Sequence, residues 1–159
     1  MIFVTVGTQL GFDRLITAMD DWTAAQHGAV DVLAQIGDSQ LKPKAMRWSQ
    51  SISPTEFNAA VAEAEIIVAH AGMGSVLTAL ELGKPLVLMP RRADLKEHRN
   101  DHQLATARWL VSRDGIFVAQ DEHELPRVLA AARAAAQRPS LISPHASPAL
   151  LDAIRQLVN

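Results

Sequence analysis

The segment His70-Ala71-Gly72-Met73-Gly74-Ser75 carries the densest chemical signal in this sequence. It follows the apolar run Ile66-Ile67-Val68-Ala69 and leads into a helical pattern that stops at Gly83. Two glycines at a strand-to-helix junction let the main chain come close to a ligand. The helix that follows turns unpaired N–H groups, and the positive end of its dipole, toward the same place. That arrangement suits a diphosphate. The same glycines also fit a tight turn that needs only their backbone freedom, and on the motif alone both readings stand.

A second polar concentration runs from Ala93 to Gln103 and includes Asp94, Lys96, Glu97, His98, Arg99, Asn100, Asp101 and His102. Directional donors and acceptors beside a buried strand suit a sugar, while a solvated loop with a helix cap has the same composition. His98 and His102 stand four apart, the spacing of a helical metal pair, but no carboxylate occupies the position a zinc protease needs, so no metal is assigned. His27, His123 and His145 read as surface or loop residues, and Trp22, Trp48 and Trp109 as core or interface fillers.

These groups need elements to hold them. Short β-branched and apolar runs at 2–6, 32–36, 65–70, 85–90 and 115–118 read as strands, with a further short one within 46–52. Helical spacing occupies the intervals at 10–26, 75–82, 100–112 and 122–137. Ser53, Pro54 and Glu56 give a helix-start signal for 53–64: a hydroxyl at the cap, proline at the first position and glutamate at the third. Three prolines, Pro139, Pro144 and Pro148, break the chain before a last helix at 149–158, whose Leu150, Leu151, Ile154, Leu157 and Val158 share a face suited to its own domain or to a partner. The alternation predicts an α/β fold, a doubly wound, mostly parallel, Rossmann-like sheet. It comprises a binding domain over 1–138 and a proline-broken tail with a terminal helix over 139–159. In such a sheet ligands bind beyond the carboxyl ends of the strands, which is where Gly7-Thr8, Gly37-Asp38, His70 to Ser75 and Pro90 to Gln103 fall.

The bulk properties narrow the class. At 159 residues the chain has one domain's length and enough apolar residues, 48%, for a real core. A formal charge of -2 argues against nucleic acid as a partner. The absence of cysteine excludes disulfides, thiolate metal sites and cysteine nucleophiles. No signal-peptide pattern and no run long enough to span a bilayer is visible, so a cytoplasmic location is expected. A dehydrogenase is disfavoured, because no G-x-G-x-x-G follows the first strand.

Several separated motifs in order carry a resemblance. Val4-Thr5-Val6-Gly7-Thr8 with Phe12-Asp13, the turn from His70 to Ser75, Leu80, Leu82-Gly83-Lys84-Pro85 and His102-Gln103 resemble the C-terminal, donor-binding domain of GT-B glycosyltransferases of the MurG-like kind. Single-domain relatives of that kind include the catalytic subunit of the eukaryotic dolichol-linked N-acetylglucosaminyltransferase and PssE-like proteins of bacterial exopolysaccharide synthesis. The resemblance covers roughly residues 1–110.

It implies a single GT-B half-domain holding a UDP-sugar at the carboxyl edge of the sheet. Gly7, Thr8, Gly72, Gly74 and Ser75 would lie against the diphosphate, and Thr78, Arg91, Arg92, His102 and Gln103 near the sugar or ribose. The family's ribose-binding glutamate falls on Thr78 here, with Glu81 one helical turn further on. The two guanidinium groups of Arg91 and Arg92 would form a fork for a carboxylate and so favour UDP-glucuronate as donor. The implied reaction is inverting transfer to a lipid-linked acceptor in bacterial polysaccharide synthesis. The departing UDP would be stabilised by a helix N-terminus without metal or other cofactor. The general base and acceptor site are expected from a membrane-anchored partner subunit that recruits the chain to the cytoplasmic face. A non-catalytic nucleotide-binding or regulatory domain of the same fold is the alternative.

Overall fold

The computed structural model describes residues 1–111 and 113–137, so the helix expected over 149–158 and the break before it lie outside the described residues. The elements alternate: β1 (Ile2–Thr5), α1 (Asp13–Ala25), β2 (Val32–Gln35), β3 (Arg47–Ser49), α2 (Pro54–Glu63), β4 (Ile66–His70), α3 (Met73–Glu81), β5 (Leu86–Met89), α4 (His102–Leu110), β6 (Ile116–Val118) and α5 (Leu125–Ala136). The strands form one six-stranded sheet in the order β3-β2-β1-β4-β5-β6, with every neighbouring pair parallel. This is the Rossmann-like doubly wound order. The winding direction reverses between β1 and β4, where the flanking connections leave on opposite sides and open a crevice.

The strands read as continuous apolar runs because both faces of the sheet are covered. Alternate side chains enter two separate cores. Val4, Val68 and Val87 pack with Leu15, Ile16 and Met19 of α1 and Val128 and Leu129 of α5. On the other face Phe3, Ile67 and Leu88 meet Val61 of α2, Val76 and Leu80 of α3 and Leu110 of α4. Phe3 also meets Phe57 of α2 edge to face, with ring centroids 5.5 Å apart.

Helix starts depart from the sequence pattern where a distant contact competes. α2 begins as expected, in a reciprocal capping box: Glu56 N–H donates to Ser53 Oγ at 3.2 Å and Ser53 N–H to Glu56 Oε2 at 2.7 Å. α1 begins at Asp13 rather than at Leu10, because the Leu10 and Gly11 carbonyls accept hydrogen bonds from the Arg91 guanidinium and the Phe12 N–H donates to Ser39 Oγ. α3 starts earlier than expected, at Met73, so Gly74 and Ser75 belong to its first turn. α4 starts later, at His102, and α5 at Leu125. The short third strand expected within 46–52 is the edge strand β3, with Trp48 exposed beneath Lys42.

Candidate functional site

The end of β1 is built for a sharp exit. Thr5 Oγ1 donates to Gln35 Oε1 at 2.8 Å and accepts from the Gly7 N–H at 3.2 Å, while Gln35 Nε2 donates to the Gly7 carbonyl at 3.0 Å. Gly7 sits at φ +78, and a Cβ there would lie 2.7 Å from His70 Cε1. Backbone angle and steric room thus both demand glycine at this position.

The His70 imidazole lies between the two strand ends, against Gly7 on one side and Gly72 on the other; a Cβ at Gly72 would collide with Nε2. Burial, and secondarily the charge of Arg91, pushes the His70 pKa down to about 4, so the ring is neutral at physiological pH. Its Nδ1, like that of His98, is buried without a hydrogen-bond partner among the described residues.

Gly72 therefore makes room for a side chain. Its φ of -94 would suit any residue, so the tight-turn reading does not explain it. Gly74 has no such structural reason: it is helical, and a Cβ built on it meets no atom within 4 Å. The N-cap Gly72 offers no side-chain acceptor, so no cap side chain satisfies the first-turn N–H groups of α3. What the sequence supplies here is bare main chain facing open space.

Beyond β5 the structure puts the two arginines to other uses than a carboxylate fork. Arg91 is 2% exposed, and its terminal nitrogens donate to the carbonyls of Val6, Leu10, Gly11 and Glu97. Its guanidinium stacks 4.6 Å above the Phe12 ring. Arg92 points away and pairs with Asp94 at 2.6 Å on the surface. Glu97 is gripped by Arg14 through both carboxylate oxygens, at 2.7 and 2.8 Å, and accepts the Arg92 N–H. Arg14 reaches on to Glu122 and to the Pro90 carbonyl. The polar loop is consequently an ordered shelf, held by one partly buried ion-pair network.

These pieces surround a cleft of about 730 Å³ at the reversal point of the sheet. That volume falls within the usual range for small-molecule sites. Of the residues expected from sequence, Gly7, Thr8, Gly72, Gly74, Ser75, Arg91 and Gln103 line it. Thr78, Arg92 and His102 do not: the Thr78 hydroxyl donates back to the Gly74 carbonyl at 3.0 Å, and His102 opens α4 in solvent. The histidines that line the cleft are His70 and His98. Gln50, Ser51, Ile52 and Phe57, from the end of β3 and the start of α2, form a wall that sequence reasoning missed. They carry neither glycine nor charge, and their only signal is their position after a strand. Among the described residues no group of three or more His, Asp or Glu side chains assembles that could hold a metal ion.

Comparisons with known proteins bear on family and fold. Residues 1–147 match the glycosyltransferase family 28 C-terminal domain. The human UDP-N-acetylglucosamine transferase subunit ALG13 is 31% identical over 130 residues, covering 73% of this chain but 11% of that protein. In fold, the chain is similar to the glycosyltransferase of kitacinnamycin, with a TM-score of 0.66, 22% identity, and coverage of 98% of this chain and 38% of the other. It is also similar to MurG of Acinetobacter baumannii, with a TM-score of 0.57, 19% identity, and coverage of 97% and 49%. The chain thus spans less than half the length of each of these three proteins. With the family's domain matched from the first strand through the last described helix, the chain belongs to the glycosyltransferase family 28 C-terminal domain family.

Proposed function

We propose that this chain is the donor-binding catalytic subunit of an inverting glycosyltransferase that uses a UDP-activated sugar. The observation that carries the reading is Gly74, a helical glycine with no steric or backbone reason to be one, in the uncapped first turn of α3 at the cleft. Diphosphate oxygens fit there, against N–H donors and the positive end of the helix. Gly7 and Thr8 supply the opposite wall, and Ile52, Phe57 and Met73 offer an apolar end suited to a flat base.

In the proposed reaction an acceptor hydroxyl attacks the anomeric carbon, the bond from that carbon to the UDP oxygen breaks, and a base takes the hydroxyl proton. Negative charge grows on the departing diphosphate, where fixed N–H dipoles stabilise it without reorganising. No metal ion enters this scheme. Among the described residues Asp38 is the one carboxylate lining the cleft, which the neutral His70 also lines. We assign the base and the acceptor site to a partner subunit at the membrane, acting on a lipid-linked acceptor of bacterial polysaccharide synthesis.

The arginine argument for glucuronate loses its footing, since Arg91 is engaged by carbonyls and Arg92 by Asp94. The donor named in the human relative, UDP-N-acetylglucosamine, is therefore the first to test, with UDP-glucuronate beside it.

The experiment is titration calorimetry with UDP in EDTA. The wild-type chain should bind, and Gly74→Val, which fills only open space, should keep its melting temperature and lose at least tenfold in affinity. Loss of binding in EDTA, or normal binding by Gly74→Val, would overturn the reading.

A further inference from the structure

The Arg91 side chain, buried at the cleft, ties together two of the loops around it. Two adjoining loops meet at it. From the β1–α1 loop come the carbonyls of Val6 at 2.8 Å, Leu10 at 2.8 Å and Gly11. From the β5–α4 loop comes the Glu97 carbonyl at 3.4 Å. The guanidinium lies on the Phe12 ring, and its own backbone N–H donates to Gln103 Oε1 at 3.1 Å.

Two consequences follow from elementary geometry. Carbonyls of one loop that converge on a single cation turn the loop's polarity: with its oxygens drawn inward to Arg91, the loop leaves main-chain N–H groups for the cleft side, where an anion binds. A backbone N–H can only donate, so the Gln103 atom it meets is the amide oxygen, and the amide's NH2 is the end left for a ligand. Among the described residues no carboxylate lies within ion-pair distance of the Arg91 guanidinium, and burial pulls its pKa down from the ordinary arginine value while leaving it charged. A buried cation at a cleft is favourable only if something compensates it. Carbonyl dipoles and the nearby charge of Glu97 do part of that, and a bound anion would add to it.

We infer that Arg91 is a positioning residue: its guanidinium fixes the β1–α1 loop for the nucleotide diphosphate, and its N–H sets Gln103 to act on the sugar only as a hydrogen-bond donor. This rests on the proposed UDP-sugar reading for its ligand and goes beyond it in the division of labour. Three variants separate the parts. Arg91→Lys keeps the charge and loses the fork. Arg91→Gln loses both. Gln103→Glu keeps an acceptor for the Arg91 N–H and removes the donors.

The measurements are UDP and UDP-N-acetylglucosamine affinities by calorimetry, and amide hydrogen exchange of residues 7–12 read by NMR against the exchange of β4. Arg91→Lys and Arg91→Gln should both bind UDP at least tenfold more weakly, with faster exchange at 7–12 and unchanged exchange in β4. Gln103→Glu should keep UDP affinity within twofold and lose at least fivefold for the sugar nucleotide. The inference fails if Arg91→Lys restores wild-type affinity, if loop exchange is unmoved by either substitution, or if Gln103→Glu weakens UDP and UDP-sugar equally.

Should the Arg91 variants not fold, the wild-type guanidinium resonances decide: they should be resolved, exchange-protected and displaced by UDP, and free rotation or indifference to UDP refutes the role. If UDP does not bind the wild-type chain at all, the functional reading falls. The exchange of residues 7–12 still tests whether Arg91 fixes the β1–α1 loop.

Discussion

His70 gives the site a pH signature of its own. In the unfolded chain its imidazole titrates near the ordinary value of 6.5, and in the folded protein burial and Arg91 lower this to about 4. Between those limits the unfolded state binds the proton and the folded state does not, so stability increases with pH across this window. It is fully present above about pH 6.5, declines as the pH falls, and has lost on the order of 3 kcal/mol by pH 4. The groups facing the ring are Arg91, always charged, and His98. The carboxylates of Glu56, Asp94 and Glu122 are held below their ordinary values and act lower on the scale. Denaturation midpoints measured from pH 4 to 7 should therefore rise steeply in the wild type and much less in His70→Asn. Equal slopes would assign the dependence to other groups. At the same scale Gly11 is a residue whose importance the sequence concealed. A Cβ there would sit 2.5 Å from the Ser39 N and 2.6 Å from the Asp38 carbonyl carbon, which are main-chain atoms that cannot yield.

At the scale of elements, α2 is the test of how locally the fold is encoded. Its start rests on the Ser53–Glu56 capping box, and it carries Phe57 both into the Phe3 contact and to the cleft wall. Ser53→Ala removes one side of the box and should cost about 1 kcal/mol. For a domain of this size that lowers the melting temperature by roughly 3 °C. UDP affinity at 25 °C should stay within twofold, because the helix is still pinned by packing. A larger loss of binding would show that the cap shapes the cleft wall directly. α2 was legible because its signals are adjacent in sequence, and the strands were legible because burial on both faces leaves continuous apolar runs. The start of α1 was not legible. Leu15, Ile16, Met19 and Trp22 have helical spacing that marks the helix but not its start, and Arg91, some eighty positions away, takes the Leu10 and Gly11 carbonyls. The candidate site divides the same way. Gly7, Gly72 and Gly74 announce themselves by type, whereas the separate duties of Arg91 and Arg92 depend on which partner each reaches in three dimensions.

At the scale of the whole molecule, the residues lining the cleft come from the carboxyl ends of strands, the loops that follow them and the first turns of helices, all at one edge of the sheet. Such an edge can grip a nucleotide from one side. Inverting transfer also requires an acceptor held on the opposite face of the anomeric carbon, a base within reach of its hydroxyl, and exclusion of water so that the sugar is not hydrolysed. The kitacinnamycin glycosyltransferase and MurG are each more than twice as long as the part of them that this chain covers, and the human relative is named as a subunit. On the proposed reading a second protein body closes over the nucleotide here and brings the acceptor. Among the described residues no helix is long and apolar enough to cross a membrane. The purified chain should then bind UDP but yield sugar transfer no faster than a Gly74→Val control. Adding the co-expressed partner in membranes should raise the rate by at least a hundredfold, and Asp38→Asn should leave that rate within threefold if the base comes from the partner. A hundredfold loss in Asp38→Asn would move the base into this chain. Transfer to a lipid-linked acceptor by the isolated chain at the full rate would remove the need for a second body.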